Sequence, residues 1–205
     1  MTMIHTVSLA DLPEMPWRNG GGVTQELLAW PKVAAAADPA NPAKSTEWQV
    51  RISVARIEQG GPFSAYPGVE RWFAVVGGEG VVLRFANRRA LLTAGSEPVR
   101  FEGAAAPGCD LLDGTTQDLN LMVRSAAGSG GLFSVKANHE WVSTAPLRAV
   151  FTAAPATLQI DDTDAAVLSA GTLAWSEEAR EQRWRLLSPG SAPLAWWLQF
   201  KPRAP

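Results

Sequence analysis

Two stretches of the sequence combine residue types that recognise anions. The first, PWRNGGGVTQEL from Pro16 to Leu27, places Arg18 and Asn19 before three consecutive glycines. Glycines adopt backbone angles forbidden to other residues, and exposed amides in such a turn form a concave anion site. The alternative is a tight turn or bulge at the edge of a sheet, which glycines also mark. We therefore predict that Arg18, Asn19 and Gly21 belong to an anion site, with a purely structural turn as the alternative.

The second stretch, EWQVRISVARI, has the period of two that indicates a strand. One face carries apolar residues and the other is polar: Trp48, Val50, Ile52 and Val54 against Gln49, Arg51 and Ser53. In a small barrel such a polar face can line a cavity in the mouth. Arg51 offers a fork of donors suited to a carboxylate, and Ser53 offers a hydroxyl. The alternative for Arg51 is a solvated strand residue.

Three residues further along the chain complete the predicted ligand site. Phe63 provides an apolar wall, Ser64 a hydroxyl, and Arg71 begins the next strand near the same rim. Arg71 has an alternative role as the surface partner of Glu70 or Glu79. Asp113 and Asn120 are outer candidates, although Asp113-Gly114 is more simply a turn.

The sequence contains no complete catalytic constellation, so we predict no catalytic residues. The acid or base candidates Glu26, Glu70 and Asp113 have no evident histidine or second carboxylate partner. Cys109 is the single cysteine, and the acids near it raise rather than lower a thiol pKa. A disulfide within the chain and a thiolate zinc cluster are therefore excluded.

Composition excludes several classes of partner. The 205 residues carry a net charge of −2, which provides no field for a phosphate backbone, so nucleic acid is not expected. No apolar run approaches the ~20 residues of a membrane span, and the start lacks the pattern of a secretory signal. We expect a globular cytoplasmic protein.

The elements that must position these residues are nearly all strands. Ten candidate strands are punctuated by glycine or proline: 47–57, 71–76, 80–85, 118–124, 131–135, 147–152, 156–160, 171–176, 183–187 and 194–201. Helix is confined to SLADL near the start and SEEAREQ at 176–182, and Pro31 to Thr46 is a connector rich in proline and alanine. Many short strands with little helix indicate an all-β barrel or sandwich.

A weak internal echo suggests two related halves. Residues 82–96 can be laid on residues 157–172 as strand, polar loop, strand and then Ala-Gly. The alternative is that strand–turn–strand units look alike in any β protein. We place the halves at 1–125, with the ligand pocket, and 126–205, with an approximate boundary and strands that can be exchanged.

The segment GPFSAYPGVERWFAVVGGEGVVLRF, Gly61 to Phe85, resembles the first motif of the cupins. Metal-binding cupins carry a His-x-His pair where this chain has Ser64 and Tyr66, and the isolated His5 and His139 are its only histidines. The imidazole ligands of a transition-metal site therefore cannot be assembled, and we expect no metal and no cofactor.

Together with PWRNGGGVTQEL and WQVRISVARIEQGGPFS, that segment resembles the HutD/Ves family of bicupins linked to histidine utilisation. The resemblance implies a cupin-like double barrel and an accessory or regulatory protein that binds a small anionic metabolite such as a formylated glutamate. A homodimer is compatible with it. The alternative is a metal-independent enzyme, a hydrolase or isomerase acting on a small amide or sugar derivative.

Overall fold

Alternating side chains build strands along most of the chain. The computed structural model describes residues 3–31, 48–136, 139–163, 165–187 and 194–204. The strands are His5–Ser8 (β1), Met15–Pro16 (β2), Gly22–Trp30 (β3), Val50–Ile57 (β4), Gly61–Pro62 (β5), Val69–Gly77 (β6), Val81–Arg84 (β7), Arg89–Leu92 (β8), Val99–Glu102 (β9), Gly108–Leu111 (β10), Thr116–Arg124 (β11), Gly128–Ser134 (β12), Glu140–Ser143 (β13), Leu147–Thr152 (β14), Ala156–Ile160 (β15), Ala166–Leu168 (β16), Thr172–Ser176 (β17), Gln182–Leu187 (β18) and Ala195–Pro202 (β19). All ten predicted strands are present, and the all-β prediction is confirmed.

Helix is limited to short 3-10 turns in these residues. Leu9–Asp11 and Gly103–Ala105 are of this kind, and the first lies within the predicted SLADL helix. No helix in the described ranges is long and apolar enough to cross a membrane. Residues 32–46 of the predicted connector lie outside the described residues.

The predicted helix at 176–182 is wrong. Ser176 ends β17, and the residues after it are held in turns by local polar contacts. The Glu178 amide bonds to Ser176 Oγ, and the Arg180 side chain reaches both Glu178 and Asp161. These contacts oppose a regular helical turn, because side chains that bond to nearby backbone compete with it.

The strands form four antiparallel sheets in two pairs. The N-terminal pair has the orders β2-β3-β4-β11-β6-β9 and β5-β10-β7-β8. The C-terminal pair has the orders β1-β17-β14-β19-β12 and β13-β18-β15-β16. Adding eight to each number from β4 to β11 converts the first arrangement into the second. The two halves therefore share one barrel topology, and the hairpins of the sequence echo, β7–β8 and β15–β16, occupy corresponding places.

Each barrel has its own apolar interior, and a third apolar layer joins them. The N-terminal interior includes Phe73 and Leu83, and the C-terminal interior includes Trp184 and Leu158. Between the barrels, the outer faces of β4, β6 and β11 pack with those of β12, β14 and β19 in one cluster. The halves thus meet through an apolar interface.

The first strand, β1, belongs to the C-terminal barrel, although it comes more than a hundred residues before that half of the chain. β1 pairs with β17 in the five-stranded C-terminal sheet, with His5 opposite Trp175 and Ser8 opposite Thr172. The strands of 1–125 are therefore shared between the two barrels.

Candidate functional site

A polar cluster lies on the inner face of the six-stranded sheet of the N-terminal barrel. Strand pairing places its members in rows across β4, β11 and β6. One row holds Arg51, Met122 and Arg71, the next holds Ser53, Asn120 and Phe73, and the third holds Ala55, Asp118 and Val75. The opposite face of these strands carries the apolar residues of the interface, so the alternation itself directs the polar side chains into the barrel.

Arg71 is the centre of this cluster. Its residue is only 6% exposed, and its Nε and Nη2 both donate to Asn120 Oδ1, at 3.2 and 3.1 Å. The rings of Phe63, Tyr66 and Phe101 surround the guanidinium, with centroids 5.3, 5.6 and 5.2 Å from Cζ. No carboxylate in the described ranges forms an ion pair with Arg71. The expected surface pairing with Glu70 or Glu79 is therefore wrong, and Glu70 pairs with Arg100.

Asp118 extends the network inward. Asn120 Nδ2 donates to Asp118 Oδ1 at 3.0 Å, so the amide of Asn120 bridges the guanidinium and the carboxyl group. Burial raises the pKa of Asp118 to about 7, although the hydrogen bond from Asn120 and the charge of Arg71 act in the opposite direction. Burial also lowers the pKa of Arg71. The cluster thus contains a buried cation and an acid that titrates near neutral pH.

Arg51 lies in the same row as Arg71 but already has an anionic partner. Its Nε donates to Glu26 Oε2 at 2.6 Å, and the two side chains are 16% and 35% exposed. Ser53 is buried on β4 between Glu26 and Asn120 in the register of the sheet. The structure therefore places both residues on the face that carries Arg71, with Arg51 toward the more exposed end.

The glycine turn lies elsewhere in the barrel. Gly22 pairs with Ile57, three rows from Arg51, which is about 20 Å along the strand. Arg18 and Asn19 are exposed there, and the Gly21 amide donates to Asn19 Oδ1 at 3.0 Å. The turn is thus not brought to Arg51 and Ser53, and the Gly21 amide is bonded within the turn itself. Its left-handed residue is Gly20, with φ +69°.

Of the remaining predicted residues, some contact the polar cluster and others are exposed away from it. Phe63 contacts Arg71, whereas Ser64, the next residue, is exposed in the loop after β5. Of the outer candidates, Asn120 is in the network, while Asp113 lies in an exposed turn with Gly114 at φ +55°. Cys109 is buried, and burial is the main reason that its pKa rises to about 12, which makes a nucleophilic thiolate unfavourable.

Asp118 and Phe101 were not predicted from the sequence, and no role in the site was predicted for Tyr66. The signal for Asp118 was available, because Thr116, Asp118 and Asn120 alternate with Leu119 and Leu121. That pattern matches the polar face of β4, from which Arg51 and Ser53 were inferred. Phe101 gave no comparable signal, since its approach to Arg71 depends on the pairing of β6 with β9.

The cluster does not fit a divalent metal ion. Tyr66, one of the residues in place of the cupin histidine pair, has its ring against Arg71. A buried guanidinium repels a cation, and the neighbouring donors are a hydroxyl, an amide and a single carboxyl group. Among the residues that the structure describes, no group of three or more His, Cys, Asp and Glu side chains could hold a metal.

Solved structures share this architecture. A conserved protein of unknown function from Pseudomonas aeruginosa PAO1, PA5104, matches with a TM-score of 0.82 at 25% identity, covering 98% of this chain and 100% of that one. The oxalate decarboxylase of Lactobacillus farciminis, in a formate complex, matches with a TM-score of 0.58 at 9% identity, covering 96% and 85%. The fold is that of a cupin double barrel.

Curated relatives are similar over part of their length. An uncharacterised 21.2 kDa protein of the hutC 3′ region in Pseudomonas putida is 30% identical over 60% of this chain and 59% of its own. Protein Ves of Citrobacter koseri is 34% identical over 56% of each chain. The matched region thus spans less than two thirds of these relatives. The model of the HutD family, by contrast, matches residues 9–193. That match covers the polar cluster and every strand between β1 and β19. The chain therefore belongs to the HutD family.

Proposed function

We propose that the N-terminal barrel binds a small carboxylate at Arg71. The observation that carries the proposal is a buried guanidinium whose hydrogen bonds go to a neutral amide. Burying a cation without an anion is costly, and a bound carboxylate would offset that cost. The planar fork of arginine also matches a carboxylate in geometry.

The C-terminal barrel provides an internal comparison. Its strand β14, which corresponds to β6, also carries an inward arginine, Arg148. Arg148 is fully buried, but Nη1 donates to the Ser143 carbonyl at 2.7 Å and Nη2 donates to the Glu178 carbonyl. Backbone acceptors therefore hold Arg148 in a structural role, whereas among the described residues Arg71 donates to no backbone carbonyl. The contrast supports Arg71, rather than buried arginine in general, as the ligand anchor.

The surroundings of Arg71 favour a small ligand with polar groups besides its carboxylate. Phe63 and Tyr66 provide aromatic walls, Ser53 provides a hydroxyl, and Arg51 provides a second cation partly neutralised by Glu26. A formylated glutamate has this character. The relative from the hutC region supports a role in histidine utilisation. We infer that the protein acts in the cytoplasm as an accessory or regulatory factor that senses such a metabolite.

Calorimetric titration with N-formyl-L-glutamate and its neutral diamide tests the proposal. We expect the wild type to bind the acid and not the diamide. Arg71→Met should weaken binding by about 2 to 5 kcal/mol, the usual cost of removing one partner of a buried charge pair. Arg51→Met should cost less, because Glu26 already opposes that charge.

Folding is checked by thermal denaturation of each variant. Arg71→Met should remain folded, because it removes a buried charge whose hydrogen bonds go to a neutral amide and so relieves a desolvation cost. A folded Arg71→Met protein that binds the acid as tightly as the wild type would show that Arg71 is not the anchor. A wild type that binds acid and diamide equally would exclude recognition of the carboxylate.

A second candidate function is a metal-independent hydrolase or isomerase. The observation that favours it is the pKa of Asp118, which is near the value suited to general acid or base catalysis. Turnover of N-formyl-L-glutamate that Asp118→Asn abolishes, while binding persists, would support the enzyme. Binding without turnover supports the sensor.

A further inference from the structure

A groove opens into the C-terminal barrel between the edge strands of its two sheets, β12 and β13. Its volume is about 720 Å³, within the range of small-molecule sites. The residues that matter for its chemistry are Phe133, Trp141, Ser143, Trp197, Gln199 and Lys201. β12 and β19 correspond to β4 and β11, which carry part of the polar cluster in the other barrel. The groove therefore has the same position in the barrel topology, with different side chains.

One wall of the groove is aromatic. Trp141 stacks on Trp197 with ring centroids 5.1 Å apart and planes 5° from parallel, and Trp184 packs edge-on against both. Phe133, opposite Trp197 in the sheet register, is 44% exposed although it faces the barrel. A Cβ on Gly131 would lie 2.6 Å from the Phe133 ring, so the ring lies across that glycine. The wall offers a flat apolar surface for a planar group.

The polarity of the groove changes along β19. Trp197, Gln199 and Lys201 share one face, so an aromatic ring, an amide and an ammonium follow one another. Gln199 Oε1 accepts from Ser143 Oγ at 2.8 Å, which directs Nε2 and its two N–H groups away from that bond. Lys201 is exposed, and no carboxylate of the described residues forms an ion pair with it. A neutral amide donor, Gln199, and a charged ammonium, Lys201, therefore lie beside the aromatic wall.

Carboxylates also border the groove, but two are already engaged. Glu140 pairs with Arg185 at 3.1 Å, and Glu97 accepts from Ser134 Oγ at 3.0 Å. Glu181 is the third lining carboxylate. The groove is also lined by Lys136 and His139. Gln199 and Lys201 lie on one face of β19 beside Trp197, so that end combines an amide donor and an ammonium next to the aromatic wall and complements an anion.

We propose that this groove is a second ligand site, which binds small molecules that combine a planar ring with a carboxylate. The ring lies against Phe133 and Trp141, and the carboxylate accepts from Gln199 Nε2 and Lys201 Nζ. The site is independent of Arg71, because the residues that would hold the ligand all belong to the C-terminal barrel.

Titration of the full chain with 3-phenylpropionate, its amide and propionate tests this site, in the Arg71→Met background so that the N-terminal barrel does not contribute. We expect 3-phenylpropionate to bind more tightly than either control. Lys201→Met should weaken its binding by about three- to fivefold, as for an exposed ion pair, and should abolish the preference over the amide. Arg203→Met, an equal loss of charge nearby, should leave affinity unchanged.

Phe133→Ser tests the ring end separately. It should weaken 3-phenylpropionate binding by at least about tenfold, the effect of losing a buried aromatic contact. Phe133 is already half-exposed, so folding should persist, and thermal denaturation checks this. No detectable binding of 3-phenylpropionate at millimolar concentration would overturn the proposal. Equal losses in Lys201→Met and Arg203→Met would show non-specific charge attraction, and unchanged affinity in Phe133→Ser would exclude the aromatic wall.

Discussion

Arg71 and Asp118 share the interior of the N-terminal barrel, with Asn120 between them. Because the pKa of Asp118 is about 7, the charge near Arg71 changes across neutral pH. Below pH 7 the acid is neutral and the arginine charge is unopposed. Above pH 7 the carboxylate competes with an anionic ligand for the same cation. Binding of the proposed carboxylate would therefore be coupled to proton binding at Asp118.

This coupling predicts a pH-dependent affinity. We expect N-formyl-L-glutamate to bind at least about fivefold more tightly at pH 6 than at pH 8, given the strength of a buried like-charge interaction. Asp118→Asn should bind equally at both values, because its side chain does not ionise. Calorimetry at the two pH values measures the difference. A steep dependence that persists in Asp118→Asn would assign it to another group.

The stability of the free protein provides an independent control. The folded pKa of Asp118 lies above its ordinary value of 3.8, so the folded state holds the proton more tightly than the unfolded state. The contribution of Asp118 to the free energy of unfolding is therefore greatest below pH 4. It falls by up to about 4 kcal/mol as the pH rises to 7. Asp118→Asn should lack that decline in denaturant unfolding.

Single residues also show how far the sequence predicts the site. A period of two was enough to place Arg51 and Ser53 on one face of their strand. That this face lines the barrel depends on the opposite, apolar face packing between the two barrels, which the period alone does not show. The partner of Arg51 and the ring cage of Arg71 could not be predicted, since both depend on which strands pair. Their role in binding stays a prediction.

At the scale of elements, the glycine turn is a structural hairpin feature. A Cβ on Gly22 would lie 2.2 Å from the Arg56 carbonyl oxygen, which is backbone of the neighbouring strand. A Cβ on Gly21 would meet the Asn19 side chain, with Oδ1 nearest at 3.3 Å, and Gly20 has open space but a left-handed φ. The three glycines therefore differ in how well each position accommodates a side chain.

A series of alanine substitutions tests that difference. We expect Gly22→Ala to lower stability most, by about 2 kcal/mol or more, since backbone cannot move aside. Gly20→Ala should cost about 1 kcal/mol for its left-handed angle, and Gly21→Ala should be nearly neutral. Chemical denaturation ranks the three. A Gly21→Ala protein that folds normally but no longer binds carboxylates would show that the glycine turn is part of the ligand site.

Most strands with a strong period were predicted, and several short strands were not. Trp196 and Trp197 lie on opposite faces as expected, the first in the interface and the second in the C-terminal barrel. β9, β10 and β13 have four residues each, which show little periodicity. The nine-residue β3 was not among the ten candidates either, and a register shift between Glu26 and Leu28 breaks its alternation. The helix expected at 176–182 failed because polar side chains bond to one another and to the backbone there.

For the whole molecule, the interface makes the two barrels one folding unit. Its cluster includes large fully buried residues from both halves, such as Leu121, Phe151 and Trp196. Separation of the barrels would expose this layer to water, at about 25 cal/mol for each Å² of apolar surface. Neither half is therefore expected to be stable alone.

Expression of the halves tests this dependence. We expect 1–125 alone to be aggregated or to bind a hydrophobic dye, and the full chain to unfold in a single transition. Co-expression of 1–125 with 126–205 should recover a soluble complex, because the apolar layers are complementary. A monomeric, cooperatively folded 1–125 fragment would contradict the shared interface and establish the N-terminal barrel as autonomous.

The position of β1 also has a consequence during synthesis. As the chain leaves the ribosome, His5–Ser8 emerges well before its partner Thr172–Ser176, which follows more than 160 residues later. At a translation rate of roughly 5 to 20 residues per second, about 8 to 30 s pass between the synthesis of β1 and that of its partner strand. The strands of the N-terminal barrel can pair with one another in that interval, whereas β1 can pair only after most of the C-terminal barrel has been translated. β1 therefore joins its sheet late, and its pairing with β17 links the segment before the N-terminal barrel to the C-terminal barrel.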